Sequence, residues 1–414
     1  MNEFTWIFVA ALAVMTVVEL WLSLRQGRYV AAHRDKVPDA FSADVSLAAH
    51  QKAADYTMAK GKFNRVETVF AMILLLIWTL GGGLELLSTV WQGFAWSEMV
   101  TGIVFMLSFF VIGTLIDLPL SWYKTFVMEQ KFGFNRNTPA LFLSDSVKQT
   151  VLLVVIGAPL IWVALWLMNS AGQYWWLYLW GAFICFSIVM MWAYPAFIAP
   201  LFNKFTPLED QKLQARVESL LSRCGFKSQG IYVMDGSRRS GHGNAYFTGL
   251  GNNKRIVFFD TLLSTLNEDQ IEAVLAHELG HFRRKHVIKN MVVMAVLSLV
   301  GLALLGWAAA QAWFYSGLGV STQTNAMALV LFMLVVPVFS FFLHPMMTSL
   351  SRKYEFEADA YAASVSSSQH LIEALVALYQ ENASTLTPDP LVSAIYDSHP
   401  PAILRVARLQ ANQS

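Results

Sequence analysis

His277-Glu278-Leu279-Gly280-His281 sets two imidazoles four residues apart, with a carboxylate next to the first of them. Residues four apart share one face of an α-helix, so His277 and His281 can both ligate one metal ion. Glu278 sits one position further round, within reach of a proton on an attacking water. This is the H-E-x-x-H pattern of zinc metalloproteases. The flanking residues predict a helix. Asn267 reads as an N-cap, Glu268 and Asp269 suit the positive end of the helix dipole, and Gln270 completes a capping box. Ile271, Val274, Leu275, Ala276 and Leu279 give it an apolar body, and nothing interrupts it before Arg283. So short a pattern also occurs in core helices with two unrelated histidines, and the rest of the chain decides between the two readings.

Outward from this helix the chain reads as a membrane protein. Of its 414 residues 56% are apolar and only 14% charged. The apolar residues gather into seven runs at about 4–24, 68–90, 100–122, 150–169, 175–198, 289–314 and 325–349. Each is near the roughly 20 residues needed to cross the hydrocarbon core. Lysine and arginine orient them: eight lie in 25–65, four in 124–148, thirteen in 204–289 and four in 352–408, which accounts for all 29. None lies in the N-terminal residues or in 91–99, 170–174 and 315–324. Seven spans with the N-terminus outside therefore place every basic residue, and the His277–His281 motif, in the cytoplasm. The first span lacks a basic n-region and a small-residue cleavage site, so it reads as a retained anchor.

The expected architecture is a mainly α-helical polytopic membrane protein with seven transmembrane helices. A small cytoplasmic α+β zinc-metalloprotease portion, gluzincin-like, completes it. We divide the chain into an N-terminal membrane domain, 1–200, and a metallopeptidase domain, 201–414, that includes spans six and seven. In the soluble part, Glu209 to Cys224 reads as an amphipathic helix. Short strands are predicted at 231–234, 244–247 and 256–259, and a terminal helical region ends at Ser414. Cys185 and Cys224 suggest no disulfide framework. A net charge of +1 gives no reason to expect nucleic acid as a partner. There is no internal repeat of the transporter kind.

A catalytic zinc site uses three protein ligands, so one is missing from the motif. The best candidate lies in Arg352-Lys353-Tyr354-Glu355-Phe356-Glu357-Ala358-Asp359, directly after span seven. Span six begins just after His286, so His281 and Glu355 each lie about one or two helical turns from a cytoplasmic span end. Antiparallel neighbouring helices would bring them together. A solvated acidic helix face is the alternative.

At this point the chain resembles the CAAX prenyl endopeptidases of type 1, integral-membrane zinc proteases. Glu355-x-x-x-Asp359 follows H-E-x-x-H with a span between. Leu118 to Val127, followed by Glu129 to Asn135, is similar to a signature in the family's third span and following loop. Ser240-Gly241-His242-Gly243-Asn244-Ala245-Tyr246-Phe247 is similar to its strand beside the active site, and Ser398-His399-Pro400-Pro401 with Arg405 to its C-terminal motif.

The resemblance implies one Zn2+ per chain, held by His277, His281 and Glu355. Asp359 becomes an acceptor that holds a ligating imidazole in its tautomer, and Glu278 the general base. His399 would stabilise the oxyanion or donate a proton, with Arg405 supporting the charge. Asn244 and Ala245 would lie on an edge strand that pairs with extended substrate. The family is known for a water-filled chamber within its spans. Glu19, Glu85, Asp117 and His344, ionisable groups in or at the ends of spans, are candidates to line it, with interfacial placement equally open for Glu85 and Asp117. His242, His286, His33, His50 and His370 have no constellation in the sequence and receive no role.

The function expected is a membrane-embedded endopeptidase cleaving polypeptide, prenylated or membrane-associated, on the cytoplasmic side of the bilayer. Compact loops and a C-terminus without an ER-retention signal favour a bacterial inner membrane, with the ER membrane as the eukaryotic counterpart. In a bacterium the substrate would be membrane or misfolded protein. A catalytically silent, zinc-stabilised scaffold or transporter is the alternative. Retention of Glu278 speaks against it, because a structural site has no use for a general base.

Overall fold

A computed structural model describes residues 1–248 and 253–411. Six helices among them are long and apolar enough to cross a membrane: Glu3–Ala32, Glu98–Phe132, Pro139–Ser170, Gly172–Phe202, His286–Ala308 and Asn325–Val365. The run expected as span two is instead a bent pair, Leu47–Trp78 and Gly83–Gln92, meeting at 47°. Gly81-Gly82-Gly83 is the reason. The first helix closes at Thr79, and Gly82 takes φ +80°, a left-handed conformation that glycine adopts without a side-chain penalty, as the cap from which the second helix starts. Counted as one crossing, the pair gives the seven spans expected. Span six ends early, at Ala308, and a separate short helix, Ala312–Gly317, occupies the rest of that apolar run.

Large apolar side chains on the spans, among them Trp6, Val14, Val155, Trp192 and Val292, face outward. A soluble protein would bury such residues; here they are the surface offered to lipid. Within the bundle Phe8, Leu12, Met106, Leu165, Val330 and Leu331 form a common core. Several spans run on past any bilayer. The continuation His344–Val365 carries the last span into the soluble part, together with Glu355 and Asp359.

The soluble part combines a four-stranded sheet with helices packed on it. The strands are β1 (Phe205–Pro207), β2 (Lys227–Met234), β3 (Ala245–Thr248) and β4 (Asn253–Phe259), in the order β1-β2-β4-β3. The central pair β2 and β4 is parallel, and both outer strands are antiparallel to their neighbours. The sequence predicts β2 to β4 from their apolar runs. It does not foresee β1, which is three residues long and carries a proline. Amphipathic helix Gln211–Arg223 contributes Leu220 to a core shared with Ile256, Phe258, Leu275, Leu279 and Leu375. The last described helix is Ala402–Ala411, and residues 412–414 of the expected terminal helix lie outside the described residues.

Candidate metal centre and active site

Local sequence builds the motif helix, Glu268–Arg283, as expected. Asn267 accepts from the backbone N–H of Gln270 at 3.0 Å, and the Gln270 side chain accepts from Asn267 N–H at 3.0 Å. Arg216 of the neighbouring helix pairs with Asp269 and, at 2.5 Å, with Glu272. The amphipathic face does the rest: Ile271, Leu275 and Leu279 are buried, and this turns His277 and His281 toward His344–Val365. Gly280 sits at the crossing, where the absence of a side chain allows the two helices to approach closely.

That approach brings three donors to one point. His277 Nε2 and His281 Nε2 are 3.3 Å apart. His277 Nε2 lies 3.5 Å from Glu355 Oε2, and His281 Nε2 lies 3.4 Å from Glu355 Oε1. Three donors bound at about 2.0–2.1 Å with tetrahedral angles would stand about 3.3 Å from one another. The observed separations match this, and the set is two nitrogens and one carboxylate, as in known catalytic zinc sites. Glu355 Oε2 is buried and accepts no well-aligned hydrogen bond, although His399 Nδ1 is 2.7 Å and Arg405 Nη1 3.6 Å away. A buried oxygen of this kind is costly unless a cation takes it up. These residues fit a metal ion.

The outer nitrogens are held as well. His277 Nδ1 lies 2.8 Å from Asp359 Oδ1. Asp359 in turn accepts from Arg405 twice, Oδ2 from Nε at 2.9 Å and Oδ1 from Nη2 at 2.6 Å. With Nε2 turned to the metal position, the His277 proton is on Nδ1 and is donated to Asp359. Arg405 Nη2, 3.3 Å from that nitrogen, then bonds Asp359 alone. Burial by itself would lower the His277 pKa, but the neighbouring carboxylates of Asp359 and Glu355 outweigh it and raise the pKa to about 9. Two carboxylates thus favour a cation at this imidazole, and metal binding displaces a proton in the same place.

The other expected residues fall around this centre. Glu278 is half-buried, one position round the motif helix. The His399 side chain is 63% exposed and lies at the mouth of the site. Arg405 is buried and holds Asp359 through two hydrogen bonds. Asn244 is exposed, and Ala245 begins β3 at the edge of the sheet. Of the ionisable span residues, Glu19 and His344 line one crevice of about 610 Å³, and Asp117 lines another of about 800 Å³ that extends to Arg239. Glu85 is elsewhere: its carboxylate accepts from the hydroxyls and backbone N–H groups of Ser321 and Thr322.

Sequence reasoning missed several supports. Arg352 donates to the carbonyl oxygens of Ser393 and Asp397, at 3.3 and 2.9 Å, and so holds the segment that leads to His399. His242 stacks on Phe134, with Nδ1 3.1 Å from Asn382 Oδ1. Gly241 N–H donates to Phe134 O at 3.0 Å, which joins the loop after span three to the approach to β3. His286 contacts His281. The signal for these was weak. Only the position of His286 at a span end, five residues beyond His281, set it apart.

Six membrane-length helices among the described residues, a bent pair that would make a seventh crossing, and a two-histidine, one-glutamate metal centre built on the H-E-x-x-H helix and its neighbour define an integral-membrane metallopeptidase. The family model described as "CAAX prenyl protease N-terminal, five membrane helices" matches residues 26–204, and that of "Peptidase family M48" matches residues 207–413. The chain belongs to the CAAX prenyl protease 1 family of M48 peptidases. It is 34% identical over 410 residues to an Arabidopsis thaliana "CAAX prenyl protease 1 homolog", covering 96% of this chain and 95% of the relative. It is 34% identical over 427 residues to "CAAX prenyl protease 1" of Saccharomyces cerevisiae, covering 94% and 92%. Among solved structures it is similar to S. mikatae Ste24p, with TM-score 0.90, 31% identity and 99% of both chains covered. The chain is a multi-pass membrane metalloprotease acting on polypeptide. Nothing found supports the scaffold or transporter reading.

Proposed function

We propose that this chain is a zinc endopeptidase that hydrolyses prenylated or membrane-associated polypeptide near the cytoplasmic end of its spans. The three donor separations of 3.3–3.5 Å around one point carry this reading. One zinc ion per chain is assigned to His277, His281 and Glu355. When bound, zinc polarises the scissile carbonyl and lowers the pKa of water at the site.

The chain's own residues supply the proton transfers. Glu278 takes the proton of the attacking water and returns it to the leaving amine nitrogen. Asp359 fixes the His277 tautomer, and Arg405 fixes Asp359 by its two parallel hydrogen bonds. This makes Arg405 a positioning residue, a role its burial supports better than direct contact with substrate. His399, exposed beside Glu355, is assigned the charge that develops on the carbonyl oxygen. The edge position of β3 supports extended substrate docking at Asn244 and Ala245 by backbone pairing.

We keep the division into 1–200 and 201–414, which the boundary between the two family matches supports. The distribution of basic residues supports an outside N-terminus and a cytoplasmic active site and C-terminus. The names of the relatives, CAAX prenyl proteases, support substrates ending in a prenylated C-a-a-X sequence.

The test is cleavage of a farnesylated C-a-a-X peptide by the purified chain, beside the same peptide without the farnesyl group. Glu278→Gln should abolish cleavage and keep the metal. Equal rates on both peptides would retain the protease and remove prenylation from its specificity.

A further inference from the structure

Beyond the three metal ligands, we propose that His286, oriented by Glu357, is the positioning residue for His281. The proposal rests on the metal-site reading above. His281 Nδ1, the nitrogen turned away from the metal position, lies 3.1 Å from His286 Nδ1. His286 Nε2 lies 3.0 Å from Glu357 Oε2. The His286 ring is 2% exposed and stacks on Tyr354, with centroids 4.1 Å apart and planes at 11°. Its orientation is therefore set by packing as well as by hydrogen bonds.

Only one arrangement of protons satisfies this chain of contacts. His281 ligates through Nε2, so its proton is on Nδ1 and is donated to His286. His286 Nδ1 must then be the acceptor, which puts its proton on Nε2. That proton is donated to the Glu357 carboxylate. Each ligating imidazole is thus backed by a carboxylate, directly for His277 through Asp359 and through one intervening imidazole for His281.

The backbone is shaped to achieve this. On an uninterrupted helix, a residue five positions on from His281 would point about 140° away from it. Here the motif helix ends at Arg283, Lys285 takes φ 58° and ψ 32°, and a new helix begins at His286. A left-handed lysine costs conformational energy, and such strain persists where the surroundings demand it. Lys285 turns the chain so that His286 comes against His281.

The test is zinc affinity, measured by competition with a chelating dye on the full-length chain in detergent, with thermal unfolding of each variant without metal as control. His286→Phe keeps the ring and its stacking but has no acceptor. His286→Asn places an amide oxygen near the position of Nδ1. Glu357→Ala removes the far end of the relay from a partly exposed site and leaves the core intact. We expect His286→Phe to bind zinc about 10–100-fold more weakly, His286→Asn to recover most of that loss, and Glu357→Ala to lose several-fold. Wild-type zinc affinity in both His286→Phe and Glu357→Ala would overturn the proposal, as would equal losses in the Phe and Asn variants. Failure of the wild-type chain to bind zinc would remove the metal reading itself, and this assignment with it.

Discussion

Gly280 faces Ala358 so closely that a Cβ on the glycine would come within 2.9 Å of the Ala358 Cα and 3.0 Å of its carbonyl oxygen. Ala358 is fully buried, and both contacts are to backbone, which cannot swing aside. This pair sets how near the motif helix lies to the helix bearing Glu355 and Asp359.

Gly280→Ala should therefore act on the metal through distance alone. Forcing the helices apart costs about 1–3 kcal/mol of overpacking. If that cost falls on the metal-bound arrangement, zinc should bind about five- to 150-fold more weakly, at about 1.4 kcal/mol for each factor of ten, and peptidase activity should fall with it. Unchanged zinc affinity in a folded Gly280→Ala chain would show that the crossing has slack.

Arg405→Met leaves Asp359 buried without its counter-cation, bonded to His277 alone. Breaking such a pair typically costs about 3–5 kcal/mol, so the melting temperature should drop and zinc affinity weaken together. Arg405→Lys should recover the charge but only part of the stability, because an ammonium cannot make both bonds. A variant with normal stability and zinc content but a depressed kcat would instead put Arg405 in contact with reacting charge.

His399→Ala should lower kcat by about 10²–10³ with little change in KM, the pattern of a donor that acts on the transition state. Zinc content and melting temperature should stay close to wild type, because the side chain is largely exposed. Near-normal kcat in a zinc-loaded preparation would remove His399 from the catalytic set.

Asp389 caps the helix Pro390–Tyr396 that precedes His399, and it accepts from Arg25 at 2.9 Å. Burial alone would raise its pKa, but the Arg25 hydrogen bond and the N–H groups of Val392 and Leu391 together lower it. A carboxylate depressed on folding adds stability above its unfolded pKa, about 3.9, and loses it as pH falls through the lower folded value. Below about pH 4 the wild-type chain should lose stability that Asp389→Asn lacks at every pH. Parallel acid unfolding curves for the two would contradict this.

Reporter fusions at Met1 and at the C-terminus should fall on opposite sides of the membrane, the C-terminal one in the cytoplasm. Both on one side would mean an even number of crossings, and the bent pair at Thr79–Gly82 would then be the first place to look.

Most of the membrane architecture was open to reading from the chain, because crossing hydrocarbon is a local demand that each segment meets by itself. The capping box at Asn267 and Gln270, the strands around Ile231 and Ile256, and the pairing of His277 with His281 are equally local. The segment that holds Glu355 could be picked out because two short tethers, from His281 into span six and from span seven to Glu355, bring it near the motif, and the choice of Glu355 as the ligand came from the resemblance. Asp359 and His399 came from resemblance, and the geometry gives them their neighbours.

What the sequence by itself determined is therefore the set of spans, their basic flanks and a helix able to offer two imidazoles to one ion. Only the tertiary structure decided that Gly280 meets Ala358, that Arg405 holds Asp359, and that Lys285 turns the chain so that His286 comes against His281. Hydropathy and helical periodicity record each residue's relation to solvent, lipid and near neighbours in the chain. The second set of relationships depends on distances between helices far apart in sequence, and those arise only when packing brings their surfaces together.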